Sequence, residues 1–282
     1  MKIPRRLLPL VEEGLVDEVM RQLMSGKEAT VYVVRCAEEI RCAKVYKDVD
    51  KRSFRQSALY QDGRGVKNSR RARAMAKGSR FGRKAQEETW QNTEVDALRR
   101  AAAAGVRVPR PYIFFEGVLL MELVADEEGN VAPRLGEIEL TPELARDYHA
   151  FLIQEVVRML CAGMIHGDLS EYNILVGARG PVIIDMPQVV DAAANNSAAA
   201  MLERDVDNLR DYLGRFDPDI LVTRYAKEMW ALYSAGELKP DSILTGHFAD
   251  PAGPADVDGV MREIRAVEEA EAARQRMLQM AE

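Results

Sequence analysis

The stretch Met164–Met186, "MIHGDLSEYNILVGARGPVIIDM", decides the fold of this 282-residue chain. Two short apolar runs, 174–176 and 182–184, flank the turn-forming sequence Gly-Ala-Arg-Gly-Pro, which predicts a β-hairpin. Because a hairpin brings its open ends together, we expect Asn173, just before the first strand, to lie beside Asp185, just after the second. A carboxylate and an amide carbonyl are hard oxygen ligands, which suit Mg²⁺ that is also held by nucleotide phosphates.

A third oxygen acceptor, Asp168, lies five residues before Asn173 in the loop that enters the hairpin. The order H-x-D-x-x-x-x-N, then a strand pair and an Asp, resembles the phosphoryl-transfer pattern of the protein-kinase superfamily. That resemblance implies that Asp168 accepts the proton of an attacking hydroxyl, while Asn173 and Asp185 hold the metal ions. The implied cofactors are ATP and Mg²⁺, with Mn²⁺ as the alternative ion.

Two upstream elements agree with this interpretation. Lys44 lies on the apolar strand "CAKVYK", as does the kinase Lys that contacts the α- and β-phosphates, and Glu94 on the helix "WQNTEVDALRR" can pair with it. Met121, Glu122 and Val124 precede the acidic stretch "ADEEGN", which we interpret as the hinge. They would provide an apolar gatekeeper, a backbone carbonyl and a backbone N–H for adenine.

The segment "SGKEATVY", residues 25–32, contains a Gly-Lys pair but is not a Walker loop. A Walker loop needs Gly where Arg21 stands and Ser or Thr where Glu28 follows Lys27.

Together, "SGKEATVY", "AKVYK", "HGDLSEYN" and "IIDMPQVV" resemble the RIO family of atypical serine/threonine protein kinases, most of all a prokaryotic-type member of its first subfamily. The similarity runs over about residues 10–216. It implies an α+β, two-lobed kinase-like fold without an activation segment, and an ATP-dependent serine/threonine kinase, autokinase or ATPase. Pro187 departs from the family pattern, which has Ser there.

The resemblance also implies the site residues. Asp168, Lys44 and Asp185 are the predicted catalytic residues, Asn173 and Asp185 are the predicted metal ligands, and Asp185 is a candidate site of aspartyl phosphorylation. The predicted nucleotide-binding residues are Ser25, Gly26, Lys27, Glu28, Ala29, Val31, Lys44, Glu94, Met121, Glu122, Val124, Glu171 and Asn173.

The chain divides into two predicted lobes. Residues 1–124 would form the N-lobe, with a short N-terminal helix, an antiparallel sheet with a helix, the nucleotide loop 25–32 and a basic, flexible insertion at 51–84. Residues 125–282 would form a mostly helical C-lobe. It would hold the catalytic loop 166–173, Asp185 and a charged C-terminal helix, 255–281.

The charge distribution suggests a partner. Residues 51–84 contain twelve Lys or Arg against Asp62 alone, although the whole chain has a net charge of -6. This block fits either a solvated loop or a contact with RNA or a ribosomal particle. No apolar run reaches the length of a membrane span, so we expect a cytoplasmic protein with no membrane partner and an unidentified protein substrate.

Two alternatives stay open from the sequence. A small-molecule phosphotransferase of the aminoglycoside-kinase type shares "HGDL", the following Asn and a later "IID". A nucleotide-switched, RNA-binding assembly factor would use the basic block for binding and ATP hydrolysis for release.

Overall fold

The computed structural model describes residues 3–26, 29–47 and 93–249, and the elements below belong to the compact unit that ends at Gly246. Four predictions lie outside the described residues: those for Lys27, Glu28, the basic block 51–84 and the helix 255–281. Within the described ranges, no helix is both long enough and apolar enough to cross a bilayer.

A five-stranded antiparallel sheet forms the first half of the unit, in the order β1-β2-β3-β5-β4. Its strands are β1 (Glu18–Ser25), β2 (Ala29–Cys36), β3 (Glu39–Tyr46), β4 (Pro111–Phe115) and β5 (Val118–Glu122). These strands form the predicted antiparallel sheet. Lys44 lies opposite Val31 on β2 and Leu119 on β5, so it occupies the middle of the sheet.

Helices cover this sheet. A 3-10 turn, Arg5–Leu7, leads into α1, Leu8–Glu12, and together they bury Leu7 and Leu10 completely against the sheet residues Val34 and Leu120. A second helix, α2, spans residues 93–103. Its Val95 and Leu98 pack in a larger apolar cluster that continues into the second half of the unit.

The second half is mostly helical. Its helices are α3 (Pro142–Cys161), α4 (Ala198–Leu213) and α5 (Tyr225–Ser234), with 3-10 turns at Leu135–Glu137, Glu171–Asn173 and Pro218–Val222. The hydroxyl of Thr141 caps α3 by accepting from the Leu144 amide at 3.2 Å. The last 3-10 turn and α5 are separate elements, because Thr223 between them is extended.

The predicted hairpin is present as β7 (Ile174–Gly177) and β8 (Gly180–Ile183), while β6 (Met164–Ile165) pairs with β9 (Val190–Asp191). The prediction of a five-residue turn between β7 and β8 is wrong. Pairing continues to Gly177 opposite Gly180, so the turn contains only two residues. Gly180 permits this tight turn because its φ is +94°.

Candidate active site

Lys44 joins the two halves of the unit through a pair of carboxylates. Its Nζ lies 2.5 Å from Oε1 of Glu94 on α2 and 2.8 Å from Oδ1 of Asp185, which follows β8. Glu94 is 1% exposed, and its second oxygen accepts from the Tyr46 hydroxyl at 2.7 Å. The predicted Lys44–Glu94 pair is therefore formed, and Tyr46, which sequence reasoning missed, holds Glu94 in place.

The opposite charges of Lys44 and its two carboxylate partners each stabilise the ionised form of the other. Burial alone would lower the pKa of Lys44, but the Glu94 and Asp185 carboxylates outweigh burial and raise that pKa well above its usual value. The Lys44 charge is the main reason why the pKa of Asp185 is lowered. Both groups stay ionised near neutral pH, so a cation and an acceptor stand side by side.

Asp185 reaches this position through a strained backbone. Its φ of +65° is unusual for a residue with a side chain. The preceding residue is fixed on both sides: the Ile184 amide donates to the Asn173 carbonyl at 2.9 Å, and the Ile184 carbonyl lies 3.0 Å from His166 Nε2. These contacts bring the end of the hairpin against the loop that carries Asp168.

That loop is anchored by a buried acid on α4. Asp205 is 1% exposed and accepts from the amides of Gly167, at 2.7 Å, and Leu169, at 3.1 Å. Asp168, between them, is left exposed. Sequence reasoning missed Asp205, although an acid within the apolar stripe of Leu202 and Leu209 was a usable signal.

Asp168 is oriented at both its backbone and its side chain. Its amide donates to His166 Nδ1 at 3.3 Å, and its Oδ2 accepts from Gln188 Nε2 at 3.1 Å. Although Asp168 is exposed as a residue, the surrounding protein removes part of the water around its carboxylate, and this desolvation is the main cause of its raised pKa, which makes the carboxylate a better proton acceptor. Gln188 was not among the predicted site residues, and it follows Pro187, where the sequence departs from the family pattern.

Asn173 and Asp185 offer the oxygens that a divalent cation requires. Asn173 Nδ2 donates to the Asp168 carbonyl at 2.8 Å, which leaves Oδ1 as the free end of the amide. Asp185 uses Oδ1 for Lys44. Among the described residues, none donates a hydrogen bond to Asn173 Oδ1 or to Asp185 Oδ2. One carboxylate oxygen and one carboxamide oxygen fit Mg²⁺.

The described part of the nucleotide loop is closed at its base. The Gly26 amide donates to the Ala29 carbonyl at 2.9 Å. Lys47 Nζ donates to Ser25 Oγ at 3.0 Å and to the Gly26 carbonyl at 2.5 Å. Lys47, another residue that sequence reasoning missed, thus ties this loop to the end of β3.

Val31 lies opposite Lys44 on β2, and the other predicted residues lie on neighbouring segments. Met121 and Glu122 end β5, and Val124 packs with Ala132 and Val182 just beyond it. Glu171 begins the 3-10 turn that ends at Asn173.

Comparisons with known proteins agree with this geometry. The RIO domain family model matches residues 30–226. The chain is 32% identical over 219 residues to the RIO-type serine/threonine-protein kinase Rio1 of Haloferax volcanii, covering 74% of this chain and 68% of that protein. It is 30% identical over 222 residues to the serine/threonine-protein kinase rio1 of Schizosaccharomyces pombe, covering 76% of this chain but only 42% of that longer protein.

Solved structures show the same fold. The Rio2 kinase from Chaetomium thermophilum has a TM-score of 0.57 at 22% identity, covering 79% of this chain and 66% of that one. The ADP/Mg²⁺-phosphoaspartate complex of that kinase has a TM-score of 0.53 at 22% identity, covering 74% and 59%. The predicted α+β kinase-like fold is confirmed. The chain between Asp185 and α4, where an activation segment would lie, contains only residues 186–197. The chain belongs to the RIO domain family.

Proposed function

We propose that this protein is an ATP- and Mg²⁺-dependent RIO-type serine/threonine protein kinase, in which autophosphorylation and ATP hydrolysis use the same site. The observation that carries the proposal is the contact of Lys44 with both Glu94 and Asp185. This contact supports the proposal because it holds the buried ammonium of Lys44 beside Asp185, the carboxylate that we assign to Mg²⁺, and phosphoryl transfer from ATP uses a lysine and a metal ion at the phosphates. The named kinases among its relatives support the same class of enzyme.

Each residue has a role that follows from its contacts. Lys44 would bind the phosphates of ATP, and Asn173 and Asp185 would hold Mg²⁺, which offsets the charge of the transferring group. The carboxylate of Asp168 would accept the proton of the acceptor hydroxyl, whose oxygen then bonds to the γ-phosphorus as ADP leaves. We assign the N-lobe to residues 1–124 and the C-lobe to residues 125–282.

The proposal is tested by following radiolabelled phosphate from ATP to the protein itself, to a basic protein substrate and to an aminoglycoside. We expect label on protein, and Asp168→Ala should reduce transfer by about 10² to 10⁴-fold. ATP affinity should stay within about threefold, because Asp168 acts on the acceptor. Label that appears only on the aminoglycoside, or equal turnover of the Asp168→Ala variant, would contradict the proposal.

One candidate acceptor of the transferred phosphate lies within the site itself. The Chaetomium thermophilum Rio2 structure is described as a phosphoaspartate complex. Asp185 is the candidate that the sequence indicates, and we propose that a carboxylate oxygen of Asp185 bonds to the γ-phosphorus as ADP leaves, in a step separate from the one in which this carboxylate holds Mg²⁺. Mass spectrometry after trapping with hydroxylamine would detect this aspartyl phosphate, and its persistence in an Asp185→Asn variant would assign the phosphate elsewhere.

The basic block 51–84 favours a second role, as an ATP-dependent RNA-binding or ribosome-binding factor. Phosphate contacts by many Lys and Arg produce an affinity that falls steeply with salt. We expect deletion of residues 51–84 to abolish RNA binding in a filter assay while ATP binding continues. RNA affinity that survives this deletion unchanged would remove the basis of this role.

A further inference from the structure

A second ionic cluster lies at the end of β5, where the proposed adenine edge begins. Arg107 binds Glu122 with two parallel hydrogen bonds, from Nη1 to Oε2 at 3.0 Å and from Nη2 to Oε1 at 2.7 Å. This fork-to-fork pairing fixes both the distance and the orientation of the two side chains. The Arg110 amide adds a third donor to Glu122, at 3.1 Å.

The backbone of Arg107 joins this edge to the rest of the site. Its amide donates to Oε2 of Glu155 at 2.5 Å, and its carbonyl accepts from the Ile183 amide at 2.9 Å. Glu155 is a 1%-exposed residue of the core helix α3, and its other oxygen accepts from Arg158. Ile183 ends β8, two residues before Asp185. One residue therefore contacts the adenine edge, the core helix and the strand that leads to the metal-binding acid.

The charges keep the cluster together. Burial alone would raise the pKa of Glu122, but the hydrogen bonds from Arg107 and Arg110 outweigh it and lower that pKa. The Arg107 and Glu122 side chains are about one quarter exposed, at 25% and 24%. A partly exposed pair contributes little to stability. Its effect is to hold Glu122, and with it the backbone of the adenine edge, in one position.

We propose that Arg107 is a positioning residue that sets the selectivity for adenine over guanine, an inference that rests on the proposed function. Adenine offers an amino donor where guanine has a carbonyl acceptor. The backbone carbonyl and N–H of the proposed adenine edge therefore distinguish the two bases only while this backbone is held in a fixed position relative to the base. Hydrogen-bonding sites reject an analogue with the wrong partner strongly, because the buried polar groups are then left unpaired. Binding of the phosphates, which we assign to Lys44, should not depend on Arg107.

The experiment measures the dissociation constants of Mg-ATP, Mg-GTP and Mg-tripolyphosphate by calorimetry for the full chain and its variants. Arg107→Met removes the side-chain pair but keeps the backbone amide that Glu155 requires. Glu122→Gln removes the charge and replaces one of the two acceptor oxygens with a donor, which breaks the two-bond pairing from the other side. Arg99→Met is the matched control, because Arg99 pairs only with Asp96 among the described residues and both side chains are more than half exposed. Thermal unfolding confirms that each variant is folded.

We expect Arg107→Met and Glu122→Gln each to weaken ATP binding about fivefold to tenfold, with the preference for ATP over GTP reduced by the same factor. Tripolyphosphate affinity should be unchanged, and the double variant should be no worse than either single variant, because both remove one interaction. Unchanged ATP-to-GTP preference in a folded Arg107→Met variant would overturn the inference. So would an equal loss for tripolyphosphate. Absence of nucleotide binding by the parent chain would instead contradict the proposed function.

Discussion

At the scale of single residues, Lys44 shows why a buried ion pair is better explained by position than by stability. Its side chain is 12% exposed, so most of its hydration is lost on folding. The attraction of Glu94 and Asp185 compensates for this loss, but such pairs are often no more stabilising than apolar residues of the same size. What the arrangement provides is an ammonium group held at a defined point between Glu94 and Asp185.

His149 gives a residue-scale prediction for the pH dependence of folding. It is buried against Tyr225, and its Nε2 has no hydrogen-bond partner among the described residues. Burial, aided by the charge of Arg210, lowers its pKa from 6.5 to about 4. Between these two values the unfolded chain binds a proton that the folded chain does not. This residue should therefore remove about 3 kcal/mol of stability as the pH falls from 6.5 to about 4.

The measurement is the free energy of unfolding by urea at pH 7 and pH 4, for the parent chain and for His149→Leu. We expect the free energy of unfolding of His149→Leu to fall by about 3 kcal/mol less than that of the parent chain between pH 7 and pH 4. A parallel loss in both proteins would show that His149 becomes protonated without cost in the fold.

At the scale of elements, the junction of α4 with the catalytic loop yields a separate prediction. Asp205→Ala would leave the buried amides of Gly167 and Leu169 without their acceptor, at a cost of about 1–3 kcal/mol for each. We expect a lower melting temperature and a much lower kcat, with a smaller effect on ATP affinity because Lys44, the proposed phosphate contact, lies on β3. Glu203→Ala, on the exposed side of the same helix, is the control. A folded Asp205→Ala variant with the parent kcat would contradict this role.

The same elements show how far the sequence could predict the structure. Local patterns predict the antiparallel sheet, the mostly helical second half and the hairpin that follows Asn173, because hydrophobic periodicity and turn sequences act over a few residues. Contacts between distant segments were only partly predictable. Tyr46, Asp205 and Gln188 support the site from positions whose role depends on how elements pack, and the length of the hairpin turn depends on backbone pairing as far as Gly177.

At the scale of the whole molecule, the Lys44–Asp185 contact spans the sheet-bearing and helical halves, so ligand binding and global stability should be linked. A ligand that binds only the folded state at 100 times its dissociation constant stabilises that state by about 2.7 kcal/mol. We expect Mg-ATP to raise the melting temperature of the parent chain but not that of Asp185→Ala. A similar increase for Asp185→Ala would place the nucleotide away from this acid.

The most direct test of the central claim is a crystal structure of the chain with Mg²⁺ and a non-hydrolysable ATP analogue. We predict one Mg²⁺ bound by Asn173 Oδ1 and a carboxylate oxygen of Asp185, at about 2.0–2.1 Å, with a phosphate oxygen within hydrogen-bonding distance of Lys44 Nζ. A nucleotide whose metal contacts neither Asn173 nor Asp185 would contradict the account.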